Sequence, residues 1–355
     1  MIKRKITRKT PGYMKFSLWL IFTGIVVTLV ILFKLYRAIF SPGFSTADGS
    51  SKVFFIPTGS AYEEVINKLE GESIIEDKSS FEWIAKKKNY QNNIHPGRYI
   101  IPSGINNNDL LNLLRSGHQE TIQLSFNSLR TIEDLAEKVS TQLEPSFEDF
   151  FEYLNDLDVI ENKGFSTATF PTMFIPNTYE FYWDTSPEEF VNRMSREYIA
   201  FWSTGREKKA AKLNLTKAEV STLASIIDQE TLFDDENPAI AGVFINRIRK
   251  RIPLQSDPTI IFALQDFSIR RVLNKHKSVD SPYNTYKFRG LPPGPISIPS
   301  ISSIDAVLNY DSHNYLYFCA KPDFSGYHNF ASTLSQHNKN ARLYQKALDQ
   351  RNIYR

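Results

Sequence analysis

The longest apolar stretch of the chain covers residues 16–33, eighteen positions without a charge between Lys15 and Lys34. An uncharged run of this length predicts one membrane-spanning helix, which we extend to residue 40. Six basic residues precede the run and two follow it closely, so the positive-inside rule predicts a cytoplasmic N-terminal tail at 1–15. A cleaved signal peptide is the alternative, but the run exceeds the usual signal core and no clear A-x-A site follows.

Residues 41–51 are small, polar and turn-forming, which predicts a linker between the membrane and the folded part. Residues 52–118 then alternate short strand and helix patterns, which predicts a small α+β module. The strand patterns are KVFFIP (52–57) and GRYIIP (97–102), and the helix patterns are AYEEVINKLEGE (61–72), FEWIAKKKNY (81–90) and NNNDLLNLLRSG (106–117).

Residues 119–355 continue the mixture, so the fold class is α+β, with a larger second region after the module. A strand pattern at 121–126 precedes helix patterns at 131–143 and 146–156. The stretch 165–183 is aromatic and punctuated by prolines. No internal repeat or low-complexity segment interrupts this region.

One helix of the second region begins at about Lys217, because Thr216 and Glu219 form a capping box. Its apolar positions recur at i, i+3, i+4 and i+7, which predicts one buried stripe. These positions are Val220, Leu223, Ala224 and Ile227. Asn237 and Pro238 are typical of the start of a second helix, whose polar Asn246 and Arg247 could approach the end of the first.

The first helix carries two carboxylates near its C-terminal end, and helical spacing separates them. Glu230 follows Ile227 by three positions and is expected on the buried face, whereas Asp228 projects about 200° away at 100° per residue. Burial and the negative end of the helix dipole both raise the pKa of an inward carboxyl. Glu230 is therefore a candidate general acid for glycosidic cleavage. The alternative is an ordinary last-turn residue that caps a neighbour or pairs with Arg247 or Arg249.

Composition narrows the classes of function. The eight basic residues that precede Asp48 leave the remainder with a net charge of −5, which lacks the basic surface that nucleic-acid binding needs. The single Cys319 cannot form an internal disulfide or a multi-cysteine zinc site. The chain has no Walker loop, G-x-G-x-x-G, HExxH or G-x-S-x-G motif. We therefore expect neither a metal nor a cofactor.

Six short strings together resemble the endolytic murein transglycosylase family, membrane-anchored, YceG-like lytic transglycosylases that cut peptidoglycan. They are LASIIDQET, GVFINRI, LQSDPT, SPYNTY, GLPPGPI and the terminal HNF…HN. The resemblance covers nearly the whole chain and implies a LysM-like module at 52–118, followed by the catalytic region. It places the catalytic glutamate at Glu230; Asp228 stands where relatives commonly have Glu, which leaves that assignment intact.

The resemblance also implies which residues line the glycan groove. They are Asn246, Gln255, Asp257, Tyr283, Asn284, Tyr286 and His328. Simpler interpretations stay open, because Asp257 before Pro258 can form an Asx-turn and the tyrosines can be core residues. His337 also matches the family motif, but we interpret it as a packing residue at the start of a C-terminal helix.

The family reaction breaks the β-1,4 bond between N-acetylmuramic acid and N-acetylglucosamine and leaves 1,6-anhydro ends, which would limit glycan chain elongation. The resemblance implies a single-pass protein of the bacterial inner membrane whose partners are glycan strands and, by location, peptidoglycan synthases and division proteins. A non-catalytic peptidoglycan-binding scaffold is the alternative from another class. A hydrolase that gives reducing ends would use the same residues and differ only in its product.

Overall fold

A computed structural model describes residues 12–40, 42–46, 48–127, 129–203 and 205–351. The protein is 52% helical, and the strands of the described residues form three antiparallel pairs. This mixture of helices and strands agrees with the predicted α+β class. Residues 1–11 of the predicted basic tail, and Ser41 and Ala47 of the predicted linker, lie outside the described residues.

The chain forms two compact units. The first unit extends to Thr121 and includes Tyr182–Asp184, and the second contains Ile122–Phe181 and the chain from Thr185 onward. Helix α1 (Gly12–Phe40) opens the first unit.

Within α1, the part from Trp19 to Phe40 has a mean hydropathy of 2.2 and is long and apolar enough to cross a membrane. Phe22 and Leu29 on this part are 65% and 59% exposed. No protein surface covers such side chains, so they require another apolar environment. Within the described part of the chain, α1 is the single helix of this kind.

The rest of the first unit builds one apolar core from two strands and three helices. The elements are β1 (Lys52–Ile56), α2 (Tyr62–Gly71), α3 (Lys78–Lys87), a 3₁₀ turn at Tyr90–Asn92, β2 (Gly97–Ile101) and α4 (Asn107–Ser116). β1 and β2 pair with Phe54 opposite Tyr99, and both side chains are buried. The predicted β-α-α-β-α order is therefore present.

Local capping sets the helix ends in this unit. Helix α3 begins three residues before the predicted 81–90, because Asp77 accepts a hydrogen bond from the Ser80 N–H (3.3 Å) and so caps an earlier turn. Asn106 caps α4 through the Asp109 N–H (2.9 Å), and Gly117 ends it with a φ of 69°.

The second unit begins with a strand pair and four helices around an aromatic core. The elements are β3 (Ile122–Phe126), α5 (Ile132–Ser140), α6 (Phe147–Asn155), α7 (Leu157–Asn162), a 3₁₀ turn at Phe170–Met173, β4 (Asn177–Phe181) and α8 (Pro187–Ser203). Phe190 of α8 packs against Phe150 and Phe174, with ring centroids 5.8 and 6.1 Å away. The aromatic stretch 165–183 therefore supplies core residues and the strand that pairs with β3.

The remainder of the second unit is mostly helical and carries the candidate site. The elements are α9 (Arg206–Leu213), α10 (Lys217–Ile227), α11 (Asn237–Arg249), α12 (Asp257–Leu264), α13 (Ile301–Leu308), β5 (Tyr317–Ala320), β6 (His328–Ala331) and α14 (Leu334–Gln350), with 3₁₀ turns at Asp234–Glu236 and His276–Ser278. Helix α10 packs against α13 and α11, and every residue from Val220 to Ile227 is buried. The prediction of a single buried stripe was therefore too narrow.

Candidate active site

The turn that follows helix α10 carries Glu230. The helix begins with the predicted Thr216–Glu219 capping box, but it ends at Ile227. Residues 228–230 continue as a turn in which the Glu230 N–H donates to the Ile227 carbonyl (3.0 Å). The helix therefore ends three residues before Glu230, earlier than the continued helical spacing predicted. The side chain nevertheless lines a cavity in the protein.

Asp228 lies in the same turn and stabilises a different helix. Its carboxylate accepts hydrogen bonds from the Ser300 N–H (2.6 Å) and hydroxyl (2.8 Å), and from the Ser303 hydroxyl. These groups open helix α13, whose positive dipole end favours a negative charge. Asp228 and Glu230 thus contact different residues, and Asp228 binds protein groups instead of projecting freely into solvent.

Glu230 lines a cavity of about 360 Å³ that lies within the second unit. Three of the predicted groove residues share this cavity, namely Gln255, Asp257 and Tyr286. The remaining lining residues are Phe244, Arg247, Leu254, Tyr317, Phe318, Leu334 and His337. The cavity therefore combines a carboxylic acid, other polar groups and aromatic rings, which suits a sugar with its apolar face and its hydroxyls.

The environment of Glu230 shifts its carboxyl towards the protonated form. Burial is the largest effect and raises the pKa of the Glu230 carboxyl to about 7. The Ser256 hydroxyl donates to Glu230 Oε1 (2.5 Å) and opposes that rise, the nearby charge of Asp257 adds to it, and Arg247 opposes it. A carboxyl with this pKa can both give and accept a proton near neutrality.

Asp257 and Tyr286 form a pair on the cavity wall. The Tyr286 hydroxyl donates to Asp257 Oδ1 (2.5 Å), and burial together with this bond raises the pKa of Tyr286 well above its usual range. The tyrosine is therefore a neutral donor that holds the carboxylate in place. Asp257 is the first residue of helix α12 and accepts a side-chain bond, an arrangement that differs from a simple Asx-turn.

Arg247 brings a buried cation to the same cavity. Its Nε donates to the Leu316 carbonyl (2.7 Å), and its Nη1 donates to the carbonyls of Leu254 (2.8 Å) and Pro253 (3.1 Å). Burial lowers its pKa from the usual value. Within the described residues, no ion pair joins Arg247 to Glu230, so the alternative of a direct pair does not describe this structure.

His337 reaches the cavity from the first turns of helix α14. Its ring stacks on Tyr317 at 5.2 Å, and its Nδ1 is buried without a hydrogen-bond partner. Burial, together with the charge of Arg247, lowers the pKa of this imidazole, which favours the neutral form. The sequence interpretation as a packing residue was incomplete, because the ring also faces the site.

Four predicted groove residues do not line this cavity and instead hold local structure. The amide of Asn246 donates to the carbonyls of His313 (2.8 Å) and Tyr315 (3.0 Å). The buried amide of Asn284 donates to the carbonyls of Lys277 (3.0 Å) and Val279 (2.7 Å). Both amides therefore fix loops near the site.

The other two of the four also contact protein groups. Tyr283 packs against Phe262 with ring centroids 4.7 Å apart. His328 Nδ1 lies 2.7 Å from Glu236 Oε2, and the same carboxylate oxygen accepts from the Thr231 hydroxyl (3.3 Å). Because Thr231 follows Glu230, this cluster holds the turn that carries the candidate acid. A contact of these residues with substrate stays a prediction.

Arg247 and His337 were named in the sequence analysis but not among the residues of the glycan groove, although their helical positions indicate an inward direction. Arg247 follows Ile240 by seven positions and Phe244 by three, so helical spacing places a cation on an apolar face. His337 follows Leu334 by three and lies on the same face of α14. In the described part of the chain, no group of three or more His, Cys, Asp or Glu side chains is arranged to hold a metal ion.

The chain is similar to known proteins whose names state an enzymatic activity. The chain is 31% identical to the endolytic murein transglycosylase of Bacillus subtilis strain 168 over 306 residues, which cover 81% of this chain and 83% of that protein. It is 28% identical to the endolytic murein transglycosylase of Streptococcus pneumoniae serotype 2 over 311 residues, 77% of this chain. It spans only 55% of the pneumococcal protein's length.

A solved structure shares the fold. The 2.6 Å crystal structure of a YceG-like protein from Listeria monocytogenes superposes with a TM-score of 0.54 at 28% identity, covering 82% of this chain and 99% of that one. The sequence profile of the YceG-like family matches residues 54–343, most of the first unit after α1 and nearly all of the second. From the fold, the cavity around Glu230 and these matches we conclude that the chain belongs to the YceG-like family.

Proposed function

We propose that this protein is an endolytic murein transglycosylase, a lyase that cleaves the β-1,4 bond between N-acetylmuramic acid and N-acetylglucosamine inside glycan strands. The relatives of this name support the reaction class and the substrate. The observation that carries the chemistry is the carboxyl of Glu230, which lies in a cavity and has a pKa raised to about 7. Such a group can be half protonated at the pH of the reaction.

Glu230 acts twice in the proposed cycle. The protonated carboxyl first donates its proton to the glycosidic oxygen, so the bond from that oxygen to the muramyl anomeric carbon breaks. The resulting carboxylate then accepts the proton of the muramyl 6-hydroxyl as this oxygen attacks the same carbon. The products are a glycan with a free hydroxyl and a 1,6-anhydro-muramyl end, and the carboxyl is protonated again.

One carboxyl suffices because the nucleophile belongs to the substrate, in contrast with the two carboxylates of most glycoside hydrolases. The Ser256 hydroxyl and the charge of Arg247 stabilise the carboxylate between the two steps. Asp257, held by Tyr286, is placed to accept hydrogen bonds from sugar hydroxyls. These roles explain why the cavity mixes acceptors, donors and a cation.

The proposal includes a location. Helix α1 anchors the protein in the cytoplasmic membrane as a single span, with the N-terminus in the cytoplasm and the chain that follows α1 outside. The small α+β part of the first unit is a LysM-like module that binds glycan. An anchored enzyme meets strands near the synthases that make them, so cleavage there limits strand length.

The test compares three full-length proteins in detergent, namely wild type, Glu230→Gln and the control Glu161→Gln. Glu161 is an exposed residue of α7 in the same unit, so its substitution changes charge without touching the cavity. Each protein is incubated with uncross-linked glycan strands, and the products are read by mass spectrometry. We expect 1,6-anhydro ends within strands from wild type and the control, and none from Glu230→Gln.

Two other results would change the conclusion. Reducing ends that contain added water would make the protein a hydrolase with the same acid. Absence of cleavage by folded wild type that still binds glycan would favour the non-catalytic scaffold.

A further inference from the structure

A second cavity, of about 460 Å³, lies in the first unit where the apolar helix α1 meets the folded module. The helix contributes Val30, Phe33, Lys34 and Arg37 to its wall. Their spacing of three, four and seven positions places them on one face of α1. At 1.5 Å per residue, this face changes from apolar to cationic within about 10 Å along the helix axis. A membrane changes from acyl chains to phosphate groups over a similar depth.

The module supplies the opposite wall and brings the opposite charge. Glu76 and Asp77, which precede helix α3, line the cavity together with Ser80. Among the described residues of this unit, the ion pairs join Lys52 to Glu72 and Lys78 to Glu70, so neither carboxylate pairs with Lys34 or Arg37. Cations and anions thus face one cavity without neutralising each other directly. A ligand that carries both charges would complement such a wall.

A buried amide adds an acceptor to this cavity. Asn107 is only 7% exposed, and its Nδ2 donates to the Ala38 carbonyl (2.9 Å) near the end of α1. Its Oδ1 has no hydrogen-bond partner in the protein. A buried acceptor without a donor is costly, so a group that donates a hydrogen bond is the expected neighbour. This requirement does not depend on the surface charges of the same cavity.

We propose that this cavity binds the headgroup of a phosphatidylethanolamine molecule from the surrounding membrane. The phosphate lies between Lys34 and Arg37, the ammonium donates to Glu76 and to Asn107 Oδ1, and the acyl chains follow Val30 and Phe33. The inference rests on the anchoring of α1 in a membrane, which is part of the proposed function. It goes further by naming a bound lipid and the groups that select it.

Headgroup chemistry makes the inference specific. Phosphatidylcholine has the same phosphate and positive charge, but its quaternary ammonium has no N–H to donate. Phosphatidylglycerol has hydroxyl donors but no positive charge. Of these three headgroups, ethanolamine alone supplies the phosphate, the cation and the N–H donors together.

The experiment offers the delipidated full-length protein equal amounts of the three phospholipids, with identical acyl chains, in mixed detergent micelles. Native mass spectrometry then counts the lipids that stay bound. We expect phosphatidylethanolamine to be retained about tenfold over each of the others, the scale of one charge-assisted hydrogen bond. Equal retention of the three lipids would overturn the inference.

Two variants separate the contacts. Glu76→Gln is expected to reduce the preference for phosphatidylethanolamine over phosphatidylcholine, because the bond to Asn107 Oδ1 remains but the charge opposite the ammonium is lost, and Arg37→Gln is expected to reduce retention of all three lipids. The control Glu63→Gln removes an exposed carboxylate of the same module that does not line the cavity, and it should behave as wild type. A Glu76→Gln protein that keeps the full wild-type preference would contradict the assignment.

A separate experiment tests whether helix α1 anchors the protein in a membrane. Full-length protein that does not co-sediment with vesicles of phosphatidylcholine alone would overturn the membrane anchor and the lipid site together. Protein that co-sediments with these vesicles but retains the three lipids equally would overturn the lipid site alone. Neither result affects the cleavage assay, because the second unit contains the whole cavity around Glu230.

Discussion

Replacement of Glu230 by Gln should remove cleavage and yet make the fold more stable at alkaline pH. Burial raises the pKa of this carboxyl from 4.5 to about 7 in the folded protein. Each unit of pKa difference corresponds to about 1.4 kcal/mol, so the ionised carboxylate costs the folded state about 3 kcal/mol at most. Glutamine has nearly the same shape, can still accept the Ser256 hydrogen bond and carries no charge.

The sign of the pH dependence follows from the two states. Below about pH 4.5 the carboxyl is protonated in both the folded and the unfolded protein, and it does not penalise folding. Between pH 4.5 and about 7 only the unfolded chain releases the proton, so wild-type stability falls as the pH rises through this window. Above pH 7 the full penalty is present in wild type and absent from Glu230→Gln.

The measurement is urea unfolding of the full-length proteins at pH 4.5 and pH 8, followed by tryptophan fluorescence. Trp202 is buried in the same core as helix α10, so it reports on unfolding around the site. We expect a higher midpoint for Glu230→Gln than for wild type at pH 8 and equal midpoints at pH 4.5. The control Glu161→Gln should follow wild type at both pH values.

A gain of the same size at both pH values would refute the reasoning. Equal midpoints of the two proteins at pH 8 would refute it as well. Either result would mean that burial does not raise the pKa of Glu230 in the folded protein.

Two further substitutions test the contacts around the same turn. Ser256→Ala removes the bond that stabilises the Glu230 carboxylate, so the alkaline limb of the cleavage rate should move up by about one pH unit; rates measured from pH 5 to 9 check this. Ser221→Ala, which removes a buried hydroxyl with no partner, should leave that limb in place, and a shift of equal size there would contradict the assignment. Asp228→Ala should lower the free energy of unfolding by about 1–3 kcal/mol, because it leaves the Ser300 N–H without its acceptor, and Asp228→Asn should lose less in the same urea titration. Equal losses for the two Asp228 variants would argue against a charged cap.

Local patterns in the sequence were sufficient to predict the ends of helices that are capped by residues close by in the chain. The capping box of Thr216 and Glu219 fixed the start of α10, and Asn106 with Gly117 fixed both ends of α4. These signals act over three or four positions, so they can be read without knowing the fold. The apolar span of α1 could also be predicted from the sequence, because it is recognised by length and composition alone.

The side-chain contacts around Glu230 could not be predicted from local sequence patterns. Ser256 is 26 positions after Glu230 and belongs to a loop without periodicity, so only the folded chain brings its hydroxyl to the carboxyl. The same holds for Asp228 and Ser300, 72 positions apart. The motifs likewise did not predict that the side-chain amides of Asn246 and Asn284 donate hydrogen bonds to backbone carbonyls, because these partners lie in loops and turns without periodicity. Spacing along one helix predicts a direction, but it does not name the partner there.

Helix α10 is enclosed by protein along its last eight residues, Val220 to Ile227, including the small hydroxyl residues Ser221 and Ser225. A helix with one solvent face can change that face freely during evolution, whereas each substitution in this segment alters packing. Sequence drift should therefore be slow along the segment that leads to Glu230. The enclosed segment contributes LASII to the string LASIIDQET, and the chain as a whole shares less than a third of its residues with the relatives described above.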